Sequence, residues 1–363
     1  MNPPRILIIR RRYLGDIVLL SALLRNLRIH WPQAHLALLL EGQYADVAHL
    51  NPDVNATLLL PKSGSDLTGW TRLLRALRRE RFTHVLDLNN TAKTAVLGRL
   101  TGAKTRIALL HEPPPRLPKL YTQLVIDPPA LHEERSITEY YLQVLPALGI
   151  QPVSRETRLY LKTDDLLAAR QLLTHFPFPA TGPRLLVHPG SRSAFRLWPA
   201  DRFAAVIERA QSQHRAQVVL VGGPADQKTV QEIKDKCSHK PLVVENSLPT
   251  GQFAALASLC DVMLCHDSGP MHVAAAVGTR VVALLGSQNP VLFAPAGEGH
   301  TLLQAPQPCR ECVAPQECVP NDSYKNYCVR RLSVEEVWVA LSKQLAAEKG
   351  RIATTSDTND QSR

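Results

Sequence analysis

Short runs of Val, Ile and Leu alternate along this chain with amphipathic stretches, and the alternation occurs twice. In the first half the apolar runs are RILIIR (Arg5 to Arg10), HLALLL (His35 to Leu40), ATLLL (Ala56 to Leu60), HVLDL (His84 to Leu88) and TRIALL (Thr105 to Leu110). Runs this short read as buried strands rather than core helices. Asp16 to His30 and Trp70 to Arg81 carry helical periodicity, and Ile137 to Leu148 closes the half before Gly149 and Pro152 break it. The second half repeats the scheme with RLLVH (Arg184 to His188), AQVVLV (Ala216 to Val221), PLVVE (Pro241 to Glu245), DVMLC (Asp261 to Cys265) and RVVALL (Arg280 to Leu285). Helices are expected over Ala200 to Gln213, Ala225 to Lys236 and Gly251 to Leu259, and an amphipathic helix with Val337, Trp338 and Leu341 follows Ser333. Alternating β and α segments predict an α/β fold of two Rossmann-like domains. Each has a parallel sheet covered on both faces, with ligands at the carboxyl ends of the strands. Two such domains facing each other make a cleft.

Length agrees with two domains, since 363 residues exceed one ordinary core. The expected division is an N-terminal unit over 1–150, a linker and helix over 151–180, a C-terminal unit over 181–345 and a polar, disordered tail over 346–363. The N-terminus MNPPRILIIRRR has only Ile6 to Ile9 as an apolar core, too short for a signal peptide, and no run reaches membrane-spanning length. A cytoplasmic protein is expected, and in that compartment seven cysteines read as thiols or metal ligands rather than disulfides. The 42 Lys+Arg against 32 Asp+Glu give a formal charge of +10, which favours anionic partners without choosing among them.

Three strand-to-helix junctions carry useful chemistry. After the first strand, Arg10 to Asp16 puts a carboxylate at the start of a helix, where it reads either as an N-cap or as a general base. The second junction is His188-Pro189-Gly190-Ser191-Arg192, followed by Arg196. It is either a plain turn or a set of backbone amides and guanidiniums suited to a diphosphate. The third is Asp267-Ser268-Gly269-Pro270-Met271-His272, where Ser268 suits an N-cap, Pro270 suits the first turn, and the helix start favours a phosphate. Gly269 lets a ligand approach the backbone closely. His272 by itself reads as a packed helix residue as readily as a catalytic one. No GxGxxG follows a strand, and GxxxxGK[ST], HExxH and GxSxG are absent, which leaves a diphosphate site with a carboxylate across a cleft.

On RILIIRRRYLGD, VHPGSR with RLWPADRFAAV, VVLVGGPAD, and CHDSGPMHVAAAVGTRVVALLGSQNP, in that order and spanning most of the chain up to about Pro295, the sequence resembles glycosyltransferase family 9. These are the ADP-heptose:lipopolysaccharide heptosyltransferases, of GT-B fold. The resemblance implies an N-terminal domain for the sugar acceptor, a C-terminal domain for the nucleotide-sugar donor, and no catalytic metal or other required cofactor. It makes Asp16 the base in an inverting transfer. It puts Arg196 at the donor phosphates, and Asp267, Ser268, Gly269 and His272 at the heptose and diphosphate. Some relatives have Lys and Thr where this chain has Arg196 and Ser268, which changes donor geometry more than charge. Asp226 lies near a carboxylate that some relatives use on the ribose; a helix cap is the alternative.

The implied partners are ADP-heptose, an anionic lipopolysaccharide core and the inner face of the inner membrane. Arg75 and Arg79, with Arg72, recur on one helix face, and Arg116 lies in the Pro-rich stretch His111 to Lys119. They read as acceptor contacts or as a solvated face. No aromatic-interleaved basic groove supports nucleic acid. Cys309, Cys312, Cys318 and Cys328, the first two at CxxC spacing, read either as a structural zinc clip or as free thiols. The alternatives are a glycosyltransferase of the same fold using another nucleotide sugar, a nucleotide-sugar epimerase, and a non-catalytic binder of anionic surfaces.

Overall fold

In a computed structural model of the chain, residues 2–110, 117–128, 134–176, 182–192, 196–244, 247–286, 288–305 and 328–357 are described. The chain divides into two compact units, Met1–Tyr160 and Leu161–Arg363.

The first unit contains β1 (Arg5–Ile9), β2 (His35–Glu41), β3 (Ala56–Leu60), β4 (His84–Asp87), β5 (Thr105–Leu110) and β6 (Gln123–Ile126). They form one parallel sheet in the order β3-β2-β1-β4-β5-β6. Ile6 to Ile9 are fully buried at the centre, which is why β1 reads as a continuous apolar run rather than an alternation. The second unit contains β7 (Arg184–His188), β8 (Gln217–Val221), β9 (Leu242–Val244), β10 (Val262–His266), β11 (Arg280–Leu285) and β12 (Thr301–Gln304). Its parallel order is β12-β11-β10-β7-β8-β9, the same topology read from the other edge. Both sheets therefore have the Rossmann strand order.

Every strand expected from the apolar runs is present. The two that the pattern missed, β6 and β12, are edge strands whose residues are half-buried or exposed. An edge strand packs on fewer neighbours, so it leaves a weaker apolar signature.

The helices differ more. The periodic stretch Asp16 to His30 is two helices, Leu14–Leu19 and Ser21–His30. At the break the buried Ser21 hydroxyl donates to the Val18 carbonyl at 2.6 Å, competing with the helical ladder. The second helix starts at Leu67, earlier than Trp70, because Asp66 caps it by accepting the Gly69 amide at 2.8 Å. The helix from Ile137 stops at Leu142, and a 3₁₀ turn at Pro146–Leu148 follows, as proline would enforce. The last helix runs Val334–Asp357, past residue 346 where the polar tail was expected. Its Val337, Trp338 and Leu341 are buried, with the Trp338 ring 5.6 Å from His214 on helix Ala200–His214.

Candidate functional site

In each sheet the chain reverses direction of winding once, between β1 and β4 in the first unit and between β7 and β10 in the second. At such switch points the connections leave to opposite faces and open a crevice at the carboxyl ends of the strands. The first crevice is bordered by Arg10 to Asp16 after β1 and by Asp87 to Asn90 at the end of β4. The second is bordered by His188 to Ser191 after β7 and by His266 to His272 after β10. All three junctions singled out from the sequence lie at these two places.

In the first crevice Asp16 is not an N-cap. It is the third residue of helix Leu14–Leu19, whose N-cap position is Tyr13, and it caps no backbone amide with its side chain. Tyr13 has φ +76°, a left-handed conformation that costs a non-glycine residue about 1–3 kcal/mol. The Asp16 carboxylate instead receives two side-chain donors on one oxygen, Oδ1: Arg10 Nη2 at 2.9 Å and Tyr141 Oη at 2.8 Å. The Arg10 guanidinium also lies 5.6 Å from the Tyr141 ring centroid and donates to the Leu88 carbonyl at 3.0 Å. Burial lowers the Arg10 pKa, but Tyr141 and Asp16 beside it raise it further, above the ordinary arginine value. Burial likewise raises the Tyr141 phenol well above 10, helped by Asp16 and opposed by Arg10, so it is a fixed donor. Among the described residues both partners of Asp16 meet Oδ1, which leaves Oδ2 as the oxygen that can take a proton. Beside this group, the fully buried Asp87 accepts Tyr121 Oη at 2.5 Å and the amides of Asn89 and Asn90 at 2.9 and 3.0 Å. Asn89 Oδ1 in turn accepts the Arg11 amide at 2.6 Å, bracing the loop that carries Asp16.

In the second crevice Ser268 stands at the N-cap position of helix Gly269–Ala276 but forms no side-chain cap; its hydroxyl donates to the His266 carbonyl at 3.3 Å. Pro270 has no N–H and the Met271 amide donates to the Ser268 carbonyl at 3.1 Å, so at this helix start the Gly269 amide is the one suited to an external anion. Asp267 is buried, with Oδ2 3.6 Å from Arg196 Nη1, a contact of opposite charges longer than a hydrogen bond. Burial raises its pKa, and Arg196 and Arg192 oppose the rise. Arg192 is exposed, while His272, the fourth residue of the helix, is buried. His188 is lowered in pKa by burial, against the pull of Asp226. Asp226 Oδ2 accepts the Gly223 amide at 2.9 Å, and its carboxylate presses so closely on Gly190 that a Cβ there would sit 2.1 Å from Oδ2. Gly190 is thus required by close approach.

His266, which the sequence reading passed over, joins these pieces. It is fully buried; Nε2 accepts the Trp198 backbone amide at 2.8 Å and Nδ1 faces the Gly190 carbonyl at 3.4 Å. A single histidine in an apolar strand gives no sign of this, because both partners come from a segment about seventy residues earlier. Tyr141 was missed for the same reason, lying 125 residues from Asp16.

Arg75 and Arg79 lie exposed on helix Leu67–Arg79, where with Arg72 and Thr71 they line a surface concavity of about 520 Å³. Arg116, Cys309, Cys312 and Cys318 lie outside the described residues. Cys328 begins a 3₁₀ turn, Cys328–Arg331. Among the described residues no group of three or more His, Cys, Asp or Glu could hold a metal ion, and no helix is long and apolar enough to cross a membrane.

Chemically, the first unit presents a carboxylate ordered by two donors on one oxygen, and the second presents a helix start and two guanidiniums beside a buried carboxylate. Comparison with known proteins gives the family and the fold. Residues 70–321 match the model of glycosyltransferase family 9 (heptosyltransferase). Lipopolysaccharide heptosyltransferase 3 of Escherichia coli K12 is 29% identical over 298 residues, covering 78% of this chain and 83% of that protein. Among solved structures, a family 9 glycosyl transferase from Veillonella parvula DSM 2008 superposes with a TM-score of 0.84 at 23% identity, covering 96% and 98% of the two chains. The E. coli ADP-heptose LPS heptosyltransferase II superposes with a TM-score of 0.73 at 20% identity, covering 95% and 99%. The fold is accordingly of the GT-B class, two Rossmann-like units each built on a parallel sheet.

Proposed function

The chain belongs to glycosyltransferase family 9, and from that premise we propose that it transfers a heptose from ADP-L-glycero-D-manno-heptose to the inner core of a lipopolysaccharide, with inversion at the anomeric carbon. The observation that supports this most is the saturation of Asp16 Oδ1 by Arg10 and Tyr141, which orders a carboxylate with one oxygen to spare. Asp16 Oδ2 takes the proton of the acceptor hydroxyl as that oxygen bonds to the anomeric carbon, and the bond from that carbon to ADP breaks. The negative charge arriving on the diphosphate meets the Gly269 amide at the start of helix Gly269–Ala276, the Gly190–Ser191 turn, Arg192 and Arg196. Donors placed where charge develops are each worth about 3–4 kcal/mol of barrier, and the base contributes about 10²- to 10⁴-fold. Asp267 holds Arg196 toward this place, with His272 and His188 walling it and Asp226 closing the Gly223 turn beside it.

The acceptor is polyanionic, and the arginines at 72, 75 and 79 are the part of the first unit that suits its phosphates and acidic sugars, at the inner surface of the cytoplasmic membrane. The chemistry needs no metal. A structural zinc on Cys309, Cys312, Cys318 and Cys328 rests on their spacing and is tested by elemental analysis of protein purified without oxygen.

The deciding experiment follows ADP release and product mass with ADP-heptose and lipopolysaccharide cores of increasing length, using Asp16→Asn as control. Acceptor-dependent release with a gain of one heptose identifies the enzyme and its step. ADP release without acceptor points to turnover of the donor alone, and no release with any core rejects the proposed donor. Asp16→Asn should lose at least about 10²-fold in transfer while binding ADP as the wild type does; retained turnover removes Asp16 from the base role.

A further inference from the structure

We infer that His266 is a positioning residue that locks the Gly190–Ser191 peptide plane so that the Ser191 N–H is presented to the donor diphosphate. The inference rests on the donor-site reading above and goes beyond it by naming a group that touches no substrate.

The geometry starts from the tautomer. Nε2 accepts a hydrogen bond from the Trp198 backbone amide at 2.8 Å, so it carries no proton, and the neutral ring holds its single proton on Nδ1. Nδ1, with that proton, faces the Gly190 carbonyl oxygen 3.4 Å away, and the Pro189 carbonyl is also within its reach. Burial keeps the ring neutral, its pKa pushed down to about 3, so the arrangement does not switch at ordinary pH. Edge-on contact with Phe203, 5.4 Å between ring centroids, fixes the plane of the imidazole.

A trans peptide unit points its C=O and the following N–H in opposite directions. Drawing the Gly190 carbonyl toward His266 therefore turns the Ser191 N–H away from the ring. Among the described residues that amide donates to no backbone or side-chain acceptor. Pro189 and Gly190 are buried and Ser191 is half-buried, so the plane cannot rotate freely, and Gly190 is packed against Asp226 on its Cα side. The other bond, to Trp198, anchors the segment that carries Arg196, whose side chain faces Asp267, the residue next to His266. One buried ring thus holds an amide, a guanidinium and the Asp267 carboxylate in register, and the first two are donors suited to a diphosphate.

The test compares His266→Phe, which keeps the ring and removes both polar atoms, with His266→Gln, whose amide can donate and accept. Affinities for ADP and for adenosine are measured by calorimetry on the full chain, with thermal unfolding in parallel. The lock predicts that His266→Phe binds ADP about 10- to 100-fold more weakly, that adenosine affinity is unchanged, and that His266→Gln recovers most of the loss. Equal weakening of ADP and adenosine, or a folded His266→Phe that binds ADP like the wild type, overturns the lock and leaves the donor site standing. A wild-type chain that binds no ADP overturns the donor-site reading and the lock with it. Should the Phe variant not fold, ¹⁵N-serine labelling of the wild type decides the matter. Addition of ADP must move the Ser191 amide resonance, assigned by its loss in Ser191→Ala, and an unmoved resonance overturns the inference.

Discussion

Gly190→Ala should destabilise the protein through one identifiable neighbour. The new Cβ would lie 2.1, 2.3 and 2.5 Å from Asp226 Oδ2, Cγ and Oδ1. Ordinary carbon contacts begin near about 3.5 Å, so the carboxylate must withdraw by about 1.2 Å. Withdrawal breaks the 2.9 Å bond that Oδ2 accepts from the Gly223 amide. A hydrogen bond to a charged group is worth about 1.5–3 kcal/mol, and pushing a short side chain off its rotamer adds about 0.5–1.5 kcal/mol. The expected cost is therefore about 2–4.5 kcal/mol. With Asp226→Ala the obstacle is gone, and Gly190→Ala in that background should cost close to nothing. Urea unfolding of wild type, both single variants and the double variant measures the coupling, which should be about as large as the Gly190→Ala effect itself. If the two substitutions add within about 0.5 kcal/mol, the usual result for independent sites, the close approach does not explain the glycine.

Three other outcomes follow from the arrangement of these residues. Tyr141→Phe removes one of the two donors on Asp16 Oδ1 and leaves Arg10; kcat for transfer should fall about 10- to 100-fold with acceptor KM nearly unchanged, and steady-state kinetics showing an unaltered kcat would refute the ordering role. Charge reversal at Arg75 and Arg79, both exposed, should raise the acceptor KM with donor affinity unchanged, and the effect should shrink as salt is added; equal KM at low salt would assign the acceptor elsewhere. For pH, the folded ring of His266 has its pKa pushed down to about 3 by burial. In the unfolded chain the ring protonates near about 6.5. As pH falls from 6.5 toward 3 the unfolded state binds a proton that the folded state refuses, so this group subtracts about 1.4 kcal/mol of stability per pH unit. Between pH 6.5 and 5 the wild type should therefore lose about 2 kcal/mol more than His266→Gln in urea unfolding. Parallel pH curves would show that His266 is not held neutral.

Local physics wrote much of this protein into its sequence. Ten of the twelve strands follow from apolar runs, because a central parallel strand is buried on both faces and must be continuously hydrophobic, as Ile6 to Ile9 are. The junctions at Asp16, Gly190 and Asp267 were legible for a related reason: strand ends and helix starts leave local marks in turn and capping residues. Which partners each residue meets there was decided only in three dimensions. Asp16 lies in the first turn of its helix and Ser268 at the N-cap position of its own, and neither side chain caps a backbone amide. Asp16 is drawn off by Arg10 and by Tyr141 from far along the chain, and Ser268 by the His266 carbonyl. Gly190 looks like an ordinary turn glycine until Asp226 arrives against it. His266 bears no sequence mark at all, since its role consists of two hydrogen bonds to a segment brought beside β10 by parallel pairing with β7. Periodicity and capping record what a residue does for its own helix or strand. Contacts between distant segments depend on strand order and register, and those arise only when the sheet is assembled.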